Sequence, residues 1–464
     1  MIGKLALRSL TAHPVRSAVL AAGFGVGVGV MAILLGVAGI VLEQAQSPAL
    51  AGGGDVTIRL SPASPARLVL SGTLQADALR RRVRAAGASH TTELYLLNGG
   101  KATRVDARGG IPSLERALGD PESLQVAAWR DTENDTEWVA AAPDKMLRQI
   151  DRFHGLPDVP AWSGSWAEWL YFNGRSADAR FYVAFMAGPR TTGDLRSAGV
   201  RLQIERNGQT ESFFASTEVR DSDLAQAPDL TFGGNSVRLD GMRYHVHLDV
   251  IDAHKRRMVG DFTIEASPGR LVPPIEINGA RGWRTGYVVP VMSGTLDGML
   301  SIDGQPVSLA GGTGYHDHNW GFWRGVSWQW GQAQQGDLSI IFGRVFPPRE
   351  AADPDTIPGL VVALSRDGPI GYSTDVRITE TNDDGGRPRR IAVRARGTAL
   401  DLDLTFDVAS TVTSSMQRGP LGSGTSGSVD FLQMRGVYAV KGKAGSRSIE
   451  FSASGAAETF RGRS

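Results

Sequence analysis

Beyond about residue 160 the chain alternates apolar and polar positions with a period of two. The clearest runs are Val200-Arg201-Leu202-Gln203-Ile204, Tyr244-His245-Val246-His247-Leu248-Asp249-Val250, Arg390-Ile391-Ala392-Val393-Arg394-Ala395 and Leu400-Asp401-Leu402-Asp403-Leu404. Successive side chains of an extended strand point to opposite faces, so these runs read as half-buried antiparallel strands. Between them stand Asn207-Gly208, Asp240-Gly241, Asp303-Gly304, Asp367-Gly368 and Asp384-Gly385, dipeptides that accept positive φ and close tight hairpins. Many short strands at regular spacing, with almost no helical period, predict sandwiches or barrels. The length of this region predicts two of them, joined near residue 300 to within about 20 residues, with the Gly/Ser-rich stretch 419–428 as a long exposed loop.

Upstream the period changes. Pro112-Ser113-Leu114-Glu115-Arg116-Ala117-Leu118 predicts a helix with Pro in its first turn, stopping at Gly119. Met146, Leu147, Ile150 and Phe153 form one apolar stripe after Pro143-Asp144, where Asp144 can cap. Residues 44–55 read as a flexible linker, Val56-Thr57-Ile58-Arg59-Leu60 as a strand, and Ala76 to Ala86 as a short basic helix whose arginines form a solvated face. From Ser17 to Leu42 no residue is charged, and 26 helical residues exceed the roughly 30 Å hydrocarbon core of a bilayer. Lys4, Arg8 and Arg16 precede this run and Glu43 follows it, which places Met1 in the cytoplasm. The expectation is a single-pass anchor in a bacterial inner membrane, with the bulk of the chain periplasmic or extracellular. Ala49-Leu50-Ala51 offers a signal-peptidase site as the rival, but the apolar run is longer than a usual signal-peptide core. The expected organisation is therefore an anchor over 1–45, a linker and small α+β segment over 46–155, a first barrel over 156–300 and a second over 301–464.

Composition narrows the chemistry. Forty-nine basic and 48 acidic residues leave a net charge of +1, which gives no field for nucleic acid. The 464 residues include no Cys, which removes disulfides, thiolate zinc sites and a Cys nucleophile. No nucleophile elbow, Walker loop, dinucleotide fingerprint or EF-hand is present, so acyl transfer, phosphoryl transfer and redox chemistry lack support and no cofactor is expected.

The densest chemistry is Gly314-Tyr315-His316-Asp317-His318-Asn319-Trp320-Gly321. Trp320, Trp323, Trp328 and Trp330 lie in and just beyond it, and Trp162, Trp166 and Trp169 form an earlier cluster; the two groups are expected to wall one site. If the motif is extended, Tyr315, Asp317 and Asn319 share one face while His316, His318 and Trp320 share the other, so one cavity cannot take all six without a bulge. One face then reads either as a functional site or as a buried polar network pinning the barrels. His245 and His247 form a second His-x-His pair; with His316 and His318 they would suffice for a metal, but nothing in the sequence brings the pairs together and no metal is expected. Glu168, flanked by Trp166, Trp169 and Tyr171, would have its pKa raised if buried, or would accept hydrogen bonds from indole N–H groups.

Glu168-Trp169-Leu170-Tyr171-Phe172, the strand Phe181-Tyr182-Val183-Ala184-Phe185 and the later Asp317-His318-Asn319-Trp320-Gly321 resemble the AttH and hydroxyneurosporene synthase (carotenoid 1,2-hydratase) family. The resemblance covers roughly 160–464, and Leu170 departs from the family's usual Trp. It implies two consecutive lipocalin-like (calycin) β-barrels and relatives that hydrate or cyclise isoprenoid or polyketide substrates. Separately, Leu5-Ala6-Leu7-Arg8-Ser9-Leu10 through Arg16-Ser17-Ala18-Val19-Leu20 resembles the first membrane segment of FtsX/MacB-type permeases, implying an ABC transporter partner. Two functions follow. In the first, the barrels enclose a lipophilic, isoprenoid-like molecule that is hydrated or cyclised by acid. Asp317 is then the acid, His316 or His318 tunes it, and Tyr315 supports it. Glu168, Trp169, Tyr171, Asn319, Trp320, Trp328 and Trp330 hold the ligand. In the second, the protein is a non-catalytic lipid-binding accessory of an ABC permease.

Overall fold

A computed structural model describes residues 83–464 apart from 88, 99–100, 121–127, 134, 137–141, 367, 398–399, 417–428 and 463–464. The expected membrane segment with its permease-like start, the linker, the strand at 56–60, most of the basic helix and the loop at 419–428 lie outside the described residues. Among the described residues no helix is long and apolar enough to cross a membrane. They fall into two units, the smaller over Ala85–Val139 and the larger over Ala140–Ser464.

In the smaller unit β1 (Ser89–Asn98) and β2 (Lys101–Gly110) form an antiparallel hairpin, followed by α1 (Pro112–Ala117). Pro112 sits in the first turn of α1, where its missing N–H costs nothing, and the helix ends before Gly119 at φ 77°. The helix α2 (Pro143–Ile150) belongs to the larger unit, not to the small α+β segment. Its cap is Ala142, not Asp144. Ala142 already has extended dihedrals, so Pro143 opens the helix and Asp144 lies inside the first turn, where its charge favours the helix dipole. The apolar stripe of Met146, Leu147, Ile150 and Phe153 is buried as its spacing requires.

The first sheet of the larger unit contains β3 (Trp166–Arg175), β4 (Arg180–Arg190), β5 (Leu195–Arg206), β6 (Gln209–Arg220), β7 (Leu230–Phe232) and β8 (Asn235–Asp240). It continues with β9 (Arg243–Ile251), β10 (Arg257–Glu265), β11 (Val272–Asn278), β12 (Arg284–Ile302), β13 (Gln305–Ser308) and β14 (Gly312–Phe322). Pairing in the order β3-β4-β5-β6-β9-β10-β12-β14, with β14 back on β3, closes a ring. The β6–β9 step holds by one opposed pair, Phe214 and Ile251. The alternation read from the sequence is the inside–outside pattern of this wall. On β9, Tyr244, Val246, Leu248 and Val250 are buried, while His245 is exposed and His247 and Asp249 are half-buried. Asn207-Gly208 and Asp303-Gly304 take positive φ at both residues and join β5 to β6 and β12 to β13 as two-residue hairpins.

The second sheet contains β15 (Ser327–Gln335), β16 (Leu338–Phe346), β17 (Leu360–Ser365), β18 (Gly368–Ser373) and β19 (Asp375–Asn382). It is completed by β20 (Pro388–Arg396), β21 (Leu400–Met416), β22 (Val429–Ala444) and β23 (Arg447–Gly462). Their order is β18-β17-β16-β15-β23-β22-β21-β20-β19, wrapped around one core that includes Ile340, Phe342, Leu402, Leu404, Phe406, Met434 and Tyr438. Gly331 leaves room for the Phe342 ring and the Tyr438 hydroxyl, which a side chain there would strike.

The join between the sheets falls between Phe322 and Ser327, not near residue 300. The physical reason is β14. It pairs with β12 on one side and with β3 on the other, so the first ring closes only after residue 322.

Candidate active site at the junction of the two barrels

The motif strand β14 is extended, with Tyr315, Asp317 and Asn319 opposite Asn173, Tyr171 and Trp169 of β3. Its side chains therefore divide between two environments. His316, His318 and Trp320 point into the first barrel, where a carboxylate from outside the sheet meets the histidines. Asp151, the residue after α2, accepts from His316 Nε2 (2.9 Å), from His318 Nδ1 (3.1 Å) and from the Tyr244 hydroxyl (2.8 Å). Glu168 on β3 takes the other side of His318 at 2.9 Å and also accepts from His154 Nδ1 (2.8 Å) and from the His154 backbone N–H (2.9 Å). Both ring nitrogens of His318 face carboxylates, and its pKa is raised to about 9 against the opposing pull of burial. Asp151 is correspondingly held down at about 2, because the histidines outweigh desolvation. The Glu168 carboxyl is lowered, not raised; desolvation pushes it up, but His154 and His318 together win. Asp151, Glu168, His316 and His318 are 0% exposed, with Phe172 stacked on His316 at 4.1 Å and Trp320 stacked on His154 at 4.4 Å.

The other face of β14 looks at the second barrel. Asp317 Oδ2 accepts from the Tyr315 hydroxyl (2.8 Å) and Oδ1 from Asn319 Nδ2 (2.8 Å). The hydroxyls of Tyr315 and Tyr287 are 2.7 Å apart, and Trp330 Nε1 on β15 donates to Tyr287 at 3.0 Å. Beside this chain, Tyr171 donates to Glu458 of β23 at 2.7 Å, and Gln433 of β22 donates to the same oxygen at 3.1 Å. Trp169 packs on Trp323 (4.7 Å) and Trp328 (6.1 Å), closing one side with apolar rings. Burial drives the Asp317 carboxyl well above the usual range, and the nearby Glu458 charge adds to this, against the hydrogen bonds from Tyr315 and Asn319. Glu458 is pushed up to about 7 by the same desolvation, with Tyr171, Gln433 and Arg201 pulling it back. These groups keep a little exposure, Asp317 4%, Trp169 6%, Trp330 7%, Glu458 7% and Tyr171 8%, while the inner network reaches solvent through His154.

No family model and no curated protein matches this chain. Among solved structures, a putative AttH from Nitrosomonas europaea is similar at TM-score 0.43 and 14% identity, covering 67% of this chain and 98% of that one. A CghA structure gives 0.42 and 14% over 69% and 95%, and kievitone hydratase from Nectria haematococca gives 0.40 and 12% over 67% and 96%. At these TM-scores and identities the likenesses carry no weight for chemistry, which rests on this chain's own geometry.

That geometry divides the residues singled out from the sequence. Tyr315, Asp317, Asn319, Trp169, Tyr171, Trp328 and Trp330 come together at the junction. His316, His318, Glu168 and Trp320 do not. They project through the strand to the inside of the first barrel, so neither histidine hydrogen-bonds Asp317, and Glu168 and Trp320 do not share its wall. Two further tryptophans depart from the expected single wall: Trp166 lies edge-on to Phe322, and Trp162 is covered by Arg324. Glu168 accepts from histidines instead of from indoles. His245 and His247 lie on the outer wall of the first barrel, in a groove with Asp261 and Asp297, and never meet His316 and His318. Among the described residues, the grouping that could hold a metal ion is His154, Glu168 and His318, whose ligand atoms lie within 4.8 Å of one another; in this structure they are joined by hydrogen bonds. Two functional residues carry no mark in the sequence: Asp151, which follows the apolar stripe of α2, and Glu458, which sits in Ala456-Ala457-Glu458-Thr459.

Proposed function

We propose that the protein takes a lipophilic, isoprenoid-like molecule at the junction of its barrels and hydrates or cyclises it, with Asp317 as the proton donor. The observation that carries this reading is a carboxyl whose pKa burial raises well above the usual range, held at both oxygens, beside the rings of Tyr171, Tyr315 and Trp330. Adding a proton to an alkene needs a strong acid, little water and π-faces near the cation that forms. The chain of donors from Trp330 through Tyr287 and Tyr315 ends on Asp317, so none of these groups takes up the acid's own proton.

In hydration, Asp317 gives its proton to one alkene carbon. The π electrons form the new C–H bond, and the neighbouring carbon becomes a cation. Water attacks it and its surplus proton passes to Glu458, whose pKa of about 7 suits a base at neutral pH. In cyclisation a second double bond attacks in place of water, and a carbon-bound proton is lost instead.

The charge-free run from Ser17 to Leu42 supports anchoring of the barrels outside an inner membrane as part of the same proposal. The test is incubation of the full chain with squalene in ¹⁸O-water, followed by mass spectrometry. Product carrying one labelled water, or an isomer with fewer double bonds, is the expected result. Tight binding with no conversion would favour the non-catalytic accessory of an ABC permease, and absence of binding would contradict both readings.

A further inference from the structure

Two cross-strand rows run from the acid motif over β14, β3, β4 and β5. One is Asp317, Tyr171, Ala184 and Arg201; the other is Tyr315, Asn173, Tyr182 and Gln203. Directly opposed residues of antiparallel strands share a face, so all eight lie on the wall turned toward the second barrel. At the β14 end the polar atoms are partnered. At the β5 end they are not. Gln203 is 4% exposed, yet neither its amide oxygen nor its amide nitrogen has a hydrogen-bond partner; two strands away on β3, Asn173 Nδ2 is also buried without one. Arg201 makes no hydrogen bond or ion pair among the described residues. Unpartnered buried polar groups are costly, so those of Gln203 and Asn173 on one wall, with Arg201 beside Gln203 on β5, call for a partner that arrives from outside. Between Tyr171 and Arg201 the row holds only the methyl group of Ala184, which leaves the wall low there.

We propose that Arg201 and Gln203 form a second subsite, which binds the acidic head group of the apolar molecule whose chain reaches Asp317. This rests on the junction being the ligand site and names the ligand's class: an apolar chain ending in a carboxylate or a group of the same shape and charge. The guanidinium offers two parallel N–H donors to a carboxylate, and the amide N–H group of Gln203 suits a remaining lone pair. Arg201 has its pKa lowered by desolvation, offset by Glu458, which is itself only half-ionised near pH 7. An incoming carboxylate supplies the missing counter-charge. Three strand spacings of about 4.8 Å separate β14 from β5, so the head and the reacting double bond are about 14 Å apart.

The test compares two fluorescent probes on the full chain, cis-parinaric acid and its methyl ester. The wild type should bind the acid at least tenfold more tightly than the ester. Arg201→Met should bring the acid down to the level of the ester without altering the ester, and Arg201→Lys should recover part of the difference. Gln203→Leu guards against a folding artefact. It removes two unpartnered buried atoms, so its melting temperature should not fall, yet it should weaken the acid and spare the ester. Equal binding of acid and ester by the wild type, or equal losses for both probes in Arg201→Met, would overturn the head-group subsite alone. Failure of both probes to bind would remove the junction as a ligand site and this inference with it.

Discussion

Asp317→Asn should lower turnover by about 10²- to 10⁴-fold while leaving the melting temperature nearly unchanged. The substitution keeps the shape of the side chain and an oxygen to accept from Tyr315 or Asn319, but removes the proton that the reaction consumes. An ionised Asp317 inside a buried network would behave differently, because losing a charge-assisted hydrogen bond costs roughly 1.5–3 kcal/mol. The direction of its pKa separates the two. A carboxyl whose folded pKa is raised contributes stability that is complete below its ordinary value of 3.8 and is lost as pH rises through the folded value. The Asn variant cannot ionise, so at pH 8 it should melt at or above the wild type. Thermal melts at pH 5 and pH 8 beside the squalene assay check both halves of the expectation.

Asp151→Ala should do the reverse, destabilising the fold by about 3–5 kcal/mol, as removing one member of a buried ion pair does. It leaves His316 Nε2, His318 Nδ1 and the Tyr244 hydroxyl without their acceptor, and strips the His318 imidazolium of one of its two carboxylates. The sign in pH follows from the wild-type values. Asp151, lowered to about 2, contributes stability present above 3.8 and lost as pH falls through 2. His318, raised to about 9, contributes stability present below 6.5 and lost as pH rises through 9. The stability that Asp151 and His318 contribute is therefore complete between about pH 4 and 6.5 and fades toward 2 and 9, separate from the loss that the raised carboxyls of Asp317 and Glu458 impose as pH rises. Urea melts of wild type and Asp151→Ala should accordingly differ most between about pH 4 and 6.5.

The two substitutions show how much of the site was legible in the chain. The strict alternation of Tyr315 to Trp320 already said that the acid and the histidines face opposite ways, and the strand pairing bears this out. Asn207-Gly208 and Asp303-Gly304 announced their hairpins because positive φ is a local demand. What lay hidden was non-local. Asp151 meets His316 across 165 positions and Tyr171 meets Glu458 across 287, distances over which no periodicity speaks. Without Asp151 in view, His316 and His318 read as partners of Asp317, and Glu168 as a carboxyl that burial alone would raise. The join lies a few residues beyond the 20-residue margin around 300 for the same reason: β14 closes its ring on β3, which lies about 150 residues earlier in the chain, as Trp320 opposite Glu168 shows.

The central claim is that Asp317 stands neutral at the junction of the barrels, ready to give up its proton. The infrared difference spectrum of the wild type minus Asp317→Asn at pH 7 tests it without knowledge of the substrate. The account predicts the carbonyl stretch of a protonated carboxylic acid, absent from the variant and shifted on exchange into heavy water. A difference spectrum showing only the paired bands of an ionised carboxylate would contradict it.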